Sequence, residues 1–353
     1  SRRQYGHGTW RCGMISRDPI YRVRGVGNSI RLRRIRAVVP RFIVGKSYLF
    51  ALLLLIIAVA VNAALQSNFF RPSVLSDDLQ TYLPLMLLAA GQTIVIIGGG
   101  VDLSVGAIVS LVDVLVVRTM GGNPGASQVF LAIGLGLATG ALAGLVNGIC
   151  VAYLRFQPIV TTFATSFVFS GLALWVMSSP GGNVPPGLVD AYQANLFDLP
   201  VVLWVTVVVL ILWNFLRSTR YGRYLYAVGG QSMSAYVTGV PVSLVRLSTY
   251  IFSGLMAAFT AVALVMSTNT GDPLIGGPMT LESIVAVVLG GTRLSGGQGG
   301  VAGSLIGVVI LSLILNIISF ANIPTWWQTL VNALIVLLAL TGPGIVALVR
   351  RKL

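Results

Sequence analysis

Long apolar segments separated by short charged or glycine-rich breaks constrain the fold of this chain more than any other feature. A helix that crosses a bilayer needs about 20 mostly apolar residues, and such segments occur along most of the 353 residues. Charged residues make up only 9% of the sequence, whereas a soluble domain has about 25%. A soluble chain with so few charges would expose too much apolar surface to remain monomeric. The sequence therefore predicts an all-α integral membrane protein.

About ten membrane-spanning segments are predicted from the apolar runs and the charges that bound them. They are Ser47–Leu65, Leu79–Ile97, Leu103–Val117, Gln128–Leu154, Pro158 up to the loop Ser178–Pro186, Leu199–Leu216, Leu247–Met266, Leu281–Leu289, Val301–Ser319 and Trp326–Val346. Glycines interrupt the ends of the second, third and eighth segments, and broken segments in transporters commonly line the path. The membrane domain is predicted over residues 47–349, with a polar loop at residues 217–246.

The uneven distribution of basic residues predicts the orientation of these segments. Residues 1–46 hold 12 of the 23 Lys and Arg residues. A basic segment before the first span stays in the cytoplasm, and ten spans return residues 350–353 to the same side. The other predicted cytoplasmic residues are also basic: Arg155, Arg217, Arg220, Arg223, Arg246, Arg293, Arg350, Arg351 and Lys352. The predicted outer segments carry Asp77, Asp78, Asp190, Asp198 and Asp272, with Arg71 and Arg118. Both termini are therefore expected in the cytoplasm.

The basic tail does not indicate nucleic-acid binding. The net charge of +14 arises largely in residues 1–46, whose apolar content is too low to fold into a basic face. We expect the tail to be cytoplasmic and poorly ordered. It lacks the small-residue cleavage site of a secretory signal. Met14 is an alternative start, in which case residues 1–13 would not belong to the natural protein.

Scarce histidine and cysteine exclude further classes of site. His7 is the only histidine and lies in the tail, which excludes histidine-based triads and most metal sites. Cys12 and Cys150 are isolated, without the spacing of metal ligands. A packing role explains them better than redox or metal chemistry. We therefore predict neither a catalytic residue nor a metal ligand.

The segment Gly98-Gly-Gly-Val-Asp102-Leu-Ser104-Val-Gly106 separates the second and third spans. Its glycines stop the second span. Asp102 and Ser104 then stand where their side chains can accept hydrogen bonds from the free N–H groups of the next helix. The segment is either a helix cap at a membrane turn or a polar break along a transport path.

Four motifs in order resemble the permease family of ABC importers for ribose, xylose, arabinose and galactose. The segment above is similar to the family's Gly-Gly-x-Asp-Leu-Ser-Val-Gly motif. Later similarities are Gly144-Leu-Val-Asn147-Gly148 with Gln157-Pro158-Ile-Val-Thr-Thr162, then Thr219 to Gly239, then Leu281-Glu282 to Gly291. The resemblance covers about residues 45–345. The chain departs from the family pattern at Asp113, Phe163 and Gln231, where a small residue, Leu and Asn are usual.

The resemblance implies a permease subunit in the bacterial inner membrane that imports a monosaccharide or similar polyol. It implies three partners besides the lipid bilayer: an ABC ATPase subunit, an extracytoplasmic sugar-binding protein, and a second permease copy or paralogue. ATP and Mg²⁺ would be used by the ATPase subunit, so this chain is expected to be no enzyme and to hold no cofactor. Pentose, hexose, polyol and furanose substrates all remain open.

By the same resemblance, the polar loop contains the element that couples the permease to the ATPase. Ser232–Gly239 is predicted to form a short helix that docks into a cleft of the ATPase, because closure of the ATPase must move the permease through a rigid contact. The residues assigned to this element are Gly229, Gly230, Gln231, Ser232, Ala235, Tyr236 and Gly239. The alternative is an ordinary solvated loop.

Polar side chains within the spans are candidates for the translocation path. They are Gln92, Asp102, Ser104, Asp113, Asn147, Thr161 and Thr165, with the aromatic Phe167. A sugar path needs hydroxyl partners and a few aromatic faces, but Ser and Thr also bond to their own helix or link helices. Asp113 is an acid inside a span and hence a functional candidate. It either lines the path or bonds to a neighbouring helix.

Leu294-Ser-Gly-Gly-Gln298 spells the signature loop of ABC ATPases. An ATPase also needs a phosphate loop that ends in Gly-Lys-Ser/Thr. The only lysines, Lys46 and Lys352, follow no such loop. We therefore interpret the pentapeptide as a glycine-rich turn between two spans.

An ion-coupled secondary transporter of a small polar solute is the main alternative function. It would need an ion-coupling site built from intramembrane acids or unwound carbonyls. Asp102, Asp113 and Glu282 are available, but they do not form paired carboxylates in the sequence. A membrane enzyme lacks an ionisable catalytic set, and a channel would lack the long docking loop.

Overall fold

The computed structural model describes residues 47–122 and 124–320, with a few isolated residues beyond, and side chains from Ala51 onward. The described part is predominantly helical. Its helices are α1 Ser47–Leu65, α2 Pro72–Ile97, α3 Val105–Met120, α4 Ala126–Ala152, α5 Pro158–Val176, α6 Pro186–Gln193, α7 Val201–Ser218, α8 Arg220–Val237, α9 Val242–Thr268, α10 Met279–Leu289 and α11 Val301–Phe320. A short antiparallel hairpin, β1 Asn195–Leu196 and β2 Leu199–Pro200, joins α6 to α7.

Six of the described helices are long and apolar enough to cross a membrane: α2, α4, α5, α7, α9 and α11. The chain is therefore a helical multi-pass membrane protein. α1 begins and ends at the predicted residues, whereas α3 and α10 contain only 16 and 11 residues. The predicted tenth span, Trp326–Val346, lies almost wholly outside the described residues. The tail 1–46 and residues 350–353 also lie outside them, so the count of ten spans stays a prediction.

Close packing of α4 on α9 organises the bundle around the buried helix α2. Every residue of α2 from Tyr82 to Ile97 is buried. A Cβ atom on Gly140 of α4 would lie only 2.5 Å from the carbonyl oxygen of Gly254 on α9. Lipid gives helices no hydrophobic reason to associate, so small residues that let backbones approach are the usual contact. Four of the five glycines of α4 therefore serve helix packing, whereas Gly134 has nothing within 4 Å of its position.

The two ends of the bundle differ in charge. At one end, which we call the basic end, the C-termini of α2, α4 and α10 meet α8 and the N-termini of α5 and α9. There the N–H of Gly297 donates to the Ile97 carbonyl at 2.9 Å, and Gly148 packs on the backbone of Leu247. The basic residues at this end are Arg155, Arg217, Arg220, Arg223, Arg246 and Arg293. Asp190 of α6 and the turns with Asp198 and Asp272 lie at the opposite end.

The turns that precede α10 pack along α3 and supply part of the depth of the bundle. Residues 272–280 run antiparallel to α3 and are joined to it by three hydrogen bonds: Asp272 N to Asp113 Oδ2 (2.7 Å), Gly276 N to Ser110 Oγ (3.0 Å) and Gly106 N to Thr280 Oγ1 (3.1 Å). Non-helical backbone at membrane depth needs protein partners for its polar groups. Asp113 and Ser110 of α3 accept two N–H groups of this segment, and Thr280 in turn accepts one N–H group of α3.

The polar stretch predicted as a loop is mostly helical. α8 consists of two helices on either side of Gln231, whose backbone is extended at φ −157° and ψ 94°. Thr219 caps the first of them, because its Oγ1 accepts the N–H of Gly222 at 3.3 Å. The second, residues 232–237, is called the short helix below; it follows the predicted break and ends two residues before Gly239. Gly239 has a φ of 84°, which glycine adopts without strain at a helix end.

Candidate functional site

A buried hydrogen-bond network surrounds Asp102, between α2 and α3. Its Oδ1 accepts the backbone N–H of Ser104 at 2.9 Å and the Ser104 hydroxyl at 2.7 Å. Its Oδ2 accepts the hydroxyl of Ser253 on α9 at 3.0 Å. The Asn147 side chain on α4 donates to Ser104 Oγ at 2.7 Å and accepts from Thr165 on α5 at 2.7 Å. This set, which we call the Asp102 network, joins the turn before α3 to α4, α5 and α9.

The network brings together four of the predicted path residues: Asp102, Ser104, Asn147 and Thr165. The first three are fully buried, and their polar groups bond to one another. In this arrangement they link helices, as buried polar groups in membrane bundles often do. Sequence reasoning missed Ser253, which lies 151 residues from Asp102 along the chain. A single serine within an apolar span carries no signal of its partner.

Of the two side chains considered as caps, Asp102 accepts the backbone N–H of Ser104 just before α3, whereas capping by the Ser104 side chain is wrong. Ser104 is the N-cap residue of α3, yet its side chain makes no capping bond, because its hydroxyl is held by Asp102 and Asn147. Hydroxyl groups of other segments take over: Thr280 Oγ1 accepts the N–H of Gly106 at 3.1 Å, and Thr162 Oγ1 accepts that of Leu103 at 3.0 Å. N–H groups at a helix start need such external partners.

Gln92, Thr161 and Phe167 lie outside the Asp102 network. Gln92 is fully buried, and both polar atoms of its amide are unpaired among the described residues. A buried unpaired polar group costs about 1–3 kcal/mol, so a ligand or water bonded to Gln92 would offset a real penalty. Thr161 donates to the Gln157 carbonyl of its own helix at 2.9 Å. Phe167 is 64% exposed on the outside of α5.

Asp113 holds the turns before α10 against α3. Its Oδ2 accepts the N–H of Asp272 at 2.7 Å, and its Oδ1 has no partner within the described part. The hydrogen bond to Asp272 matches one of the two alternatives from the sequence, a structural role for Asp113. The other alternative, a role in the path, stays a prediction. Among the described residues, no three His, Cys, Asp or Glu side chains are grouped so that they could hold a metal ion.

The residues assigned to coupling divide between buried and exposed positions on α8. Gly229 and Ala235 are buried, Ser232 is half-buried, and Gly230, Gln231, Tyr236 and Gly239 are exposed. Met233, Tyr236 and Val237 on the short helix are 70%, 68% and 77% exposed; we call them the docking face. Met233 and Val237 were not predicted, because the sequence of a short helix does not show which side faces outward.

Three glycine-rich turns meet at the basic end in what we call the glycine junction. They are Gly98–Gly100 after α2, Gly229–Gly230 at the break in α8, and Gly296–Gly297 after α10. A Cβ atom on Gly229 would lie 2.8 Å from the Gly297 nitrogen and closer still to the Ile97 carbonyl oxygen. The break in α8 therefore rests directly on the turn that leads to Asp102. The pentapeptide Leu294–Gln298 belongs to the turn between α10 and α11, as its interpretation as a turn predicts.

Known proteins resemble the chain over most of its length. The family described as "Branched-chain amino acid transport system / permease component" matches residues 75–340. The ribose import permease protein RbsC of Escherichia coli (strain K12) is 31% identical over 299 residues, which cover 82% of this chain and 91% of the relative. RbsC of Bacillus subtilis (strain 168) is 34% identical over 294 residues, or 81% and 89% of the two chains. The fructose import permease protein FruG of Bifidobacterium longum (strain NCC 2705) is 30% identical over 301 residues, or 81% and 87%. A solved ABC transporter in an inward-facing conformation is similar over 87% of this chain and 99% of the transporter chain. The sequence identity is 17% and the TM-score is 0.46.

Proposed function

We propose that this chain, which belongs to the branched-chain amino acid transport system permease component family, imports a monosaccharide or similar polyol as the membrane permease of an ABC importer. The observation that carries the proposal is the similarity to ribose and fructose import permeases, which extends over 82% and 81% of the chain. Membrane-spanning helices that bury serine, threonine and asparagine side chains support a transport role. The individual sugar is left open by this similarity.

We place the energy source of transport in a partner subunit. ATP and Mg²⁺ would be bound and used by an ABC ATPase, and this chain would supply the path and the coupling contact. The docking face is the surface that we assign to the ATPase. Its three large apolar side chains are exposed together, and a contiguous exposed apolar surface is typical of a protein contact.

The coupling route would pass through the glycine junction. A force on the short helix reaches Gly229, which touches the end of α2 and the turn after α10. The end of α2 continues into the Asp102 network, which joins four parts of the bundle. Packed interiors transmit displacement because they have little free volume. Movement of the ATPase would thus change the relative positions of α3, α4, α5 and α9.

The proposed topology has ten spans, with both termini and the basic end in the bacterial cytoplasm. Arginines at the end that carries α8 support this orientation. An extracytoplasmic binding protein would deliver the sugar to the opposite end, and a second permease, identical or related, would complete the path. The exposed aromatic residues of α5, such as Phe167, would then face lipid or that second permease.

Reconstitution tests the proposal directly. The full chain, co-expressed with an ABC ATPase subunit and a periplasmic-type binding protein from the same source, is purified and placed in proteoliposomes. We expect ATP hydrolysis to rise when the binding protein is loaded with its sugar, and labelled sugar to accumulate only with ATP. A panel of pentoses, hexoses and polyols would identify the substrate.

The same vesicles distinguish the secondary transporter. Uptake driven by a proton or sodium gradient, in the absence of the ATPase and unaffected by ATP, would overturn the proposal. As a control, an ionophore that dissipates both gradients should leave ATP-driven uptake unchanged.

A further inference from the structure

A cavity of about 650 Å³ lies at the basic end, beside the short helix of α8. Its walls come from the short helix, the turn between α4 and α5, the start of α9 and the glycines that follow α2. Small-molecule sites commonly have volumes of about 300–1,000 Å³. The cavity is therefore large enough for a ligand of the size of a phosphorylated sugar or a lipid headgroup.

The lining of this cavity is rich in hydrogen-bond donors and positive charge. Arg155 and Arg246 both line it, and no acidic side chain does so among the described residues. Within that part of the chain neither guanidinium group has a hydrogen bond or an ion pair. Arginine is always charged and can only donate. Two unpaired arginines at one cavity favour an anion over a neutral sugar.

A third donor at the cavity is buried and unpaired. Tyr250 lines the cavity, its side chain is 1% exposed, and its hydroxyl has no partner among the described residues. Ser232 and Ser243 add two further hydroxyl groups to the lining. Buried polar groups are normally satisfied, so this phenol lacks an acceptor, but its burial keeps the hydroxyl behind the cavity wall rather than in contact with a ligand.

From these observations we propose that the cavity binds a phosphate group, from either a soluble phosphate ester or the headgroup of an anionic phospholipid. Arginine pairs bind phosphate through charge-assisted, often bidentate, hydrogen bonds. Basic pockets between helices on the cytoplasmic side of membrane proteins bind anionic headgroups through the same chemistry. A bound phosphate would connect Ser232 of the short helix with Arg155 and Arg246 of the bundle. If the proposed function holds, occupancy of this site would restrain the coupling element.

Binding is measured on the full chain in nanodiscs, without ATPase or sugar, so the outcome is independent of the proposed function. In one arm, phosphatidylcholine discs are titrated with inorganic phosphate against chloride at equal ionic strength. In the other, phosphatidylglycerol replaces increasing fractions of the phosphatidylcholine. The readout is the midpoint of thermal unfolding, which rises when a ligand binds the native state. The arm that raises the midpoint identifies the source of the phosphate group.

Matched variants locate the site. Arg155→Gln/Arg246→Gln should raise the ligand concentration at half-saturation on the order of a hundredfold, because the double variant loses hydrogen bonds to a charged group. Arg220→Gln changes an exposed arginine of α8 outside the cavity and should bind like the wild type. Size-exclusion profiles and unfolding midpoints in plain phosphatidylcholine verify that the variants fold.

Three results would overturn the proposal. One is a wild-type midpoint that rises in neither arm. Another is a double variant that binds as tightly as Arg220→Gln. The third is a double variant that keeps phosphate binding but no longer co-purifies with the ATPase, which would make the cavity a socket for an acidic side chain of that partner.

Discussion

Replacing Gly229 by alanine tests whether the glycine junction is a rigid contact. The new Cβ atom would lie 2.8 Å from the Gly297 nitrogen and closer to the Ile97 carbonyl oxygen, inside the distance at which atoms repel. Overpacking of this kind costs about 1–3 kcal/mol. The Gly297 N–H to Ile97 O bond, 2.9 Å long, lies at the same point, and its loss adds about 0.5–1.5 kcal/mol. Gly229→Ala should therefore destabilise the chain by about 2–4 kcal/mol.

Gly230→Ala is the matched control. It makes the same chemical change one residue later, where a Cβ atom would meet nothing within 4 Å. Substitutions at such open positions are usually within about 0.5 kcal/mol of neutral. Unfolding in mixed micelles with increasing sodium dodecyl sulfate measures both variants. In the reconstituted importer, Gly229→Ala should also lose the stimulation of ATP hydrolysis by sugar, while Gly230→Ala keeps it. Equal stability and equal stimulation of the two variants would show that α8 does not bear on the end of α2.

Three further outcomes are expected from contacts elsewhere in the bundle. Gly140→Ala would place a Cβ atom 2.5 Å from the Gly254 carbonyl oxygen and push α4 away from α9, so it should lower the free energy of unfolding by about 1–3 kcal/mol. Gly134→Ala is the control, because nothing lies within 4 Å of that position. Unfolding in detergent measures both variants, and equal free energies would contradict the close contact. Asp113→Ala removes the acceptor of the Asp272 N–H and should lower the free energy of unfolding by about 1–3 kcal/mol. Asp113→Asn keeps an acceptor oxygen and should lower it less. An alanine variant with normal stability but no sugar uptake would instead assign Asp113 to the path. Val237 is 77% exposed on the docking face, so Val237→Asp should leave the free energy of unfolding in detergent unchanged but abolish co-purification with the ATPase. Intact co-purification would exclude this face as the docking surface.

Helix ends set by glycine could be predicted from the sequence. α2 ends at Ile97 and α10 at Leu289, as predicted, because the glycines that follow supply the turn. Helix starts were harder to predict. α2 begins at Pro72 rather than Leu79, and the acidic pair taken as its boundary lies within the helix. The reason is tertiary: Asp78 accepts a hydrogen bond from Asn316 on α11 at 3.2 Å, a contact that no local pattern reveals.

The polar stretch after α7 shows a second limit of hydropathy. Its arginines and tyrosines indicate solvent exposure, and exposure was taken to mean a loop. α8 is nevertheless helical because Leu225 and Val228 are buried against the bundle while the arginines remain outside. The coupling assignment is affected as well. Ala235, assigned to the coupling element from the sequence, is only 4% exposed, so a large side chain there would disturb packing in addition to docking.

Within the site, residue types could be predicted but their pairing could not. Polar residues in apolar spans must find partners, so Asp102, Asn147 and Thr165 were sound candidates. Which of them would meet depends on how α3, α4 and α5 pack, and that depends on contacts between helices that are distant in the sequence, such as Gly144 and Gly148 of α4 against α9. Gln92 was selected by the same reasoning, yet its amide has no hydrogen-bond partner among the described residues.

The meeting of α3 with α10 has an electrostatic consequence. Their first turns are joined through Gly106 and Thr280, and the two helices run in opposite directions from that point. The N-terminus of a helix carries a partial positive charge of about half an elementary charge, so two such charges face each other deep inside the bundle. A carboxyl group stands near each: Asp102 just before α3, and Glu282 in the first turn of α10. The partial positive charges of the two helix starts thus favour negative charge on the carboxyl group beside each of them, so that an acidic side chain can be held at this depth without a basic side chain next to it.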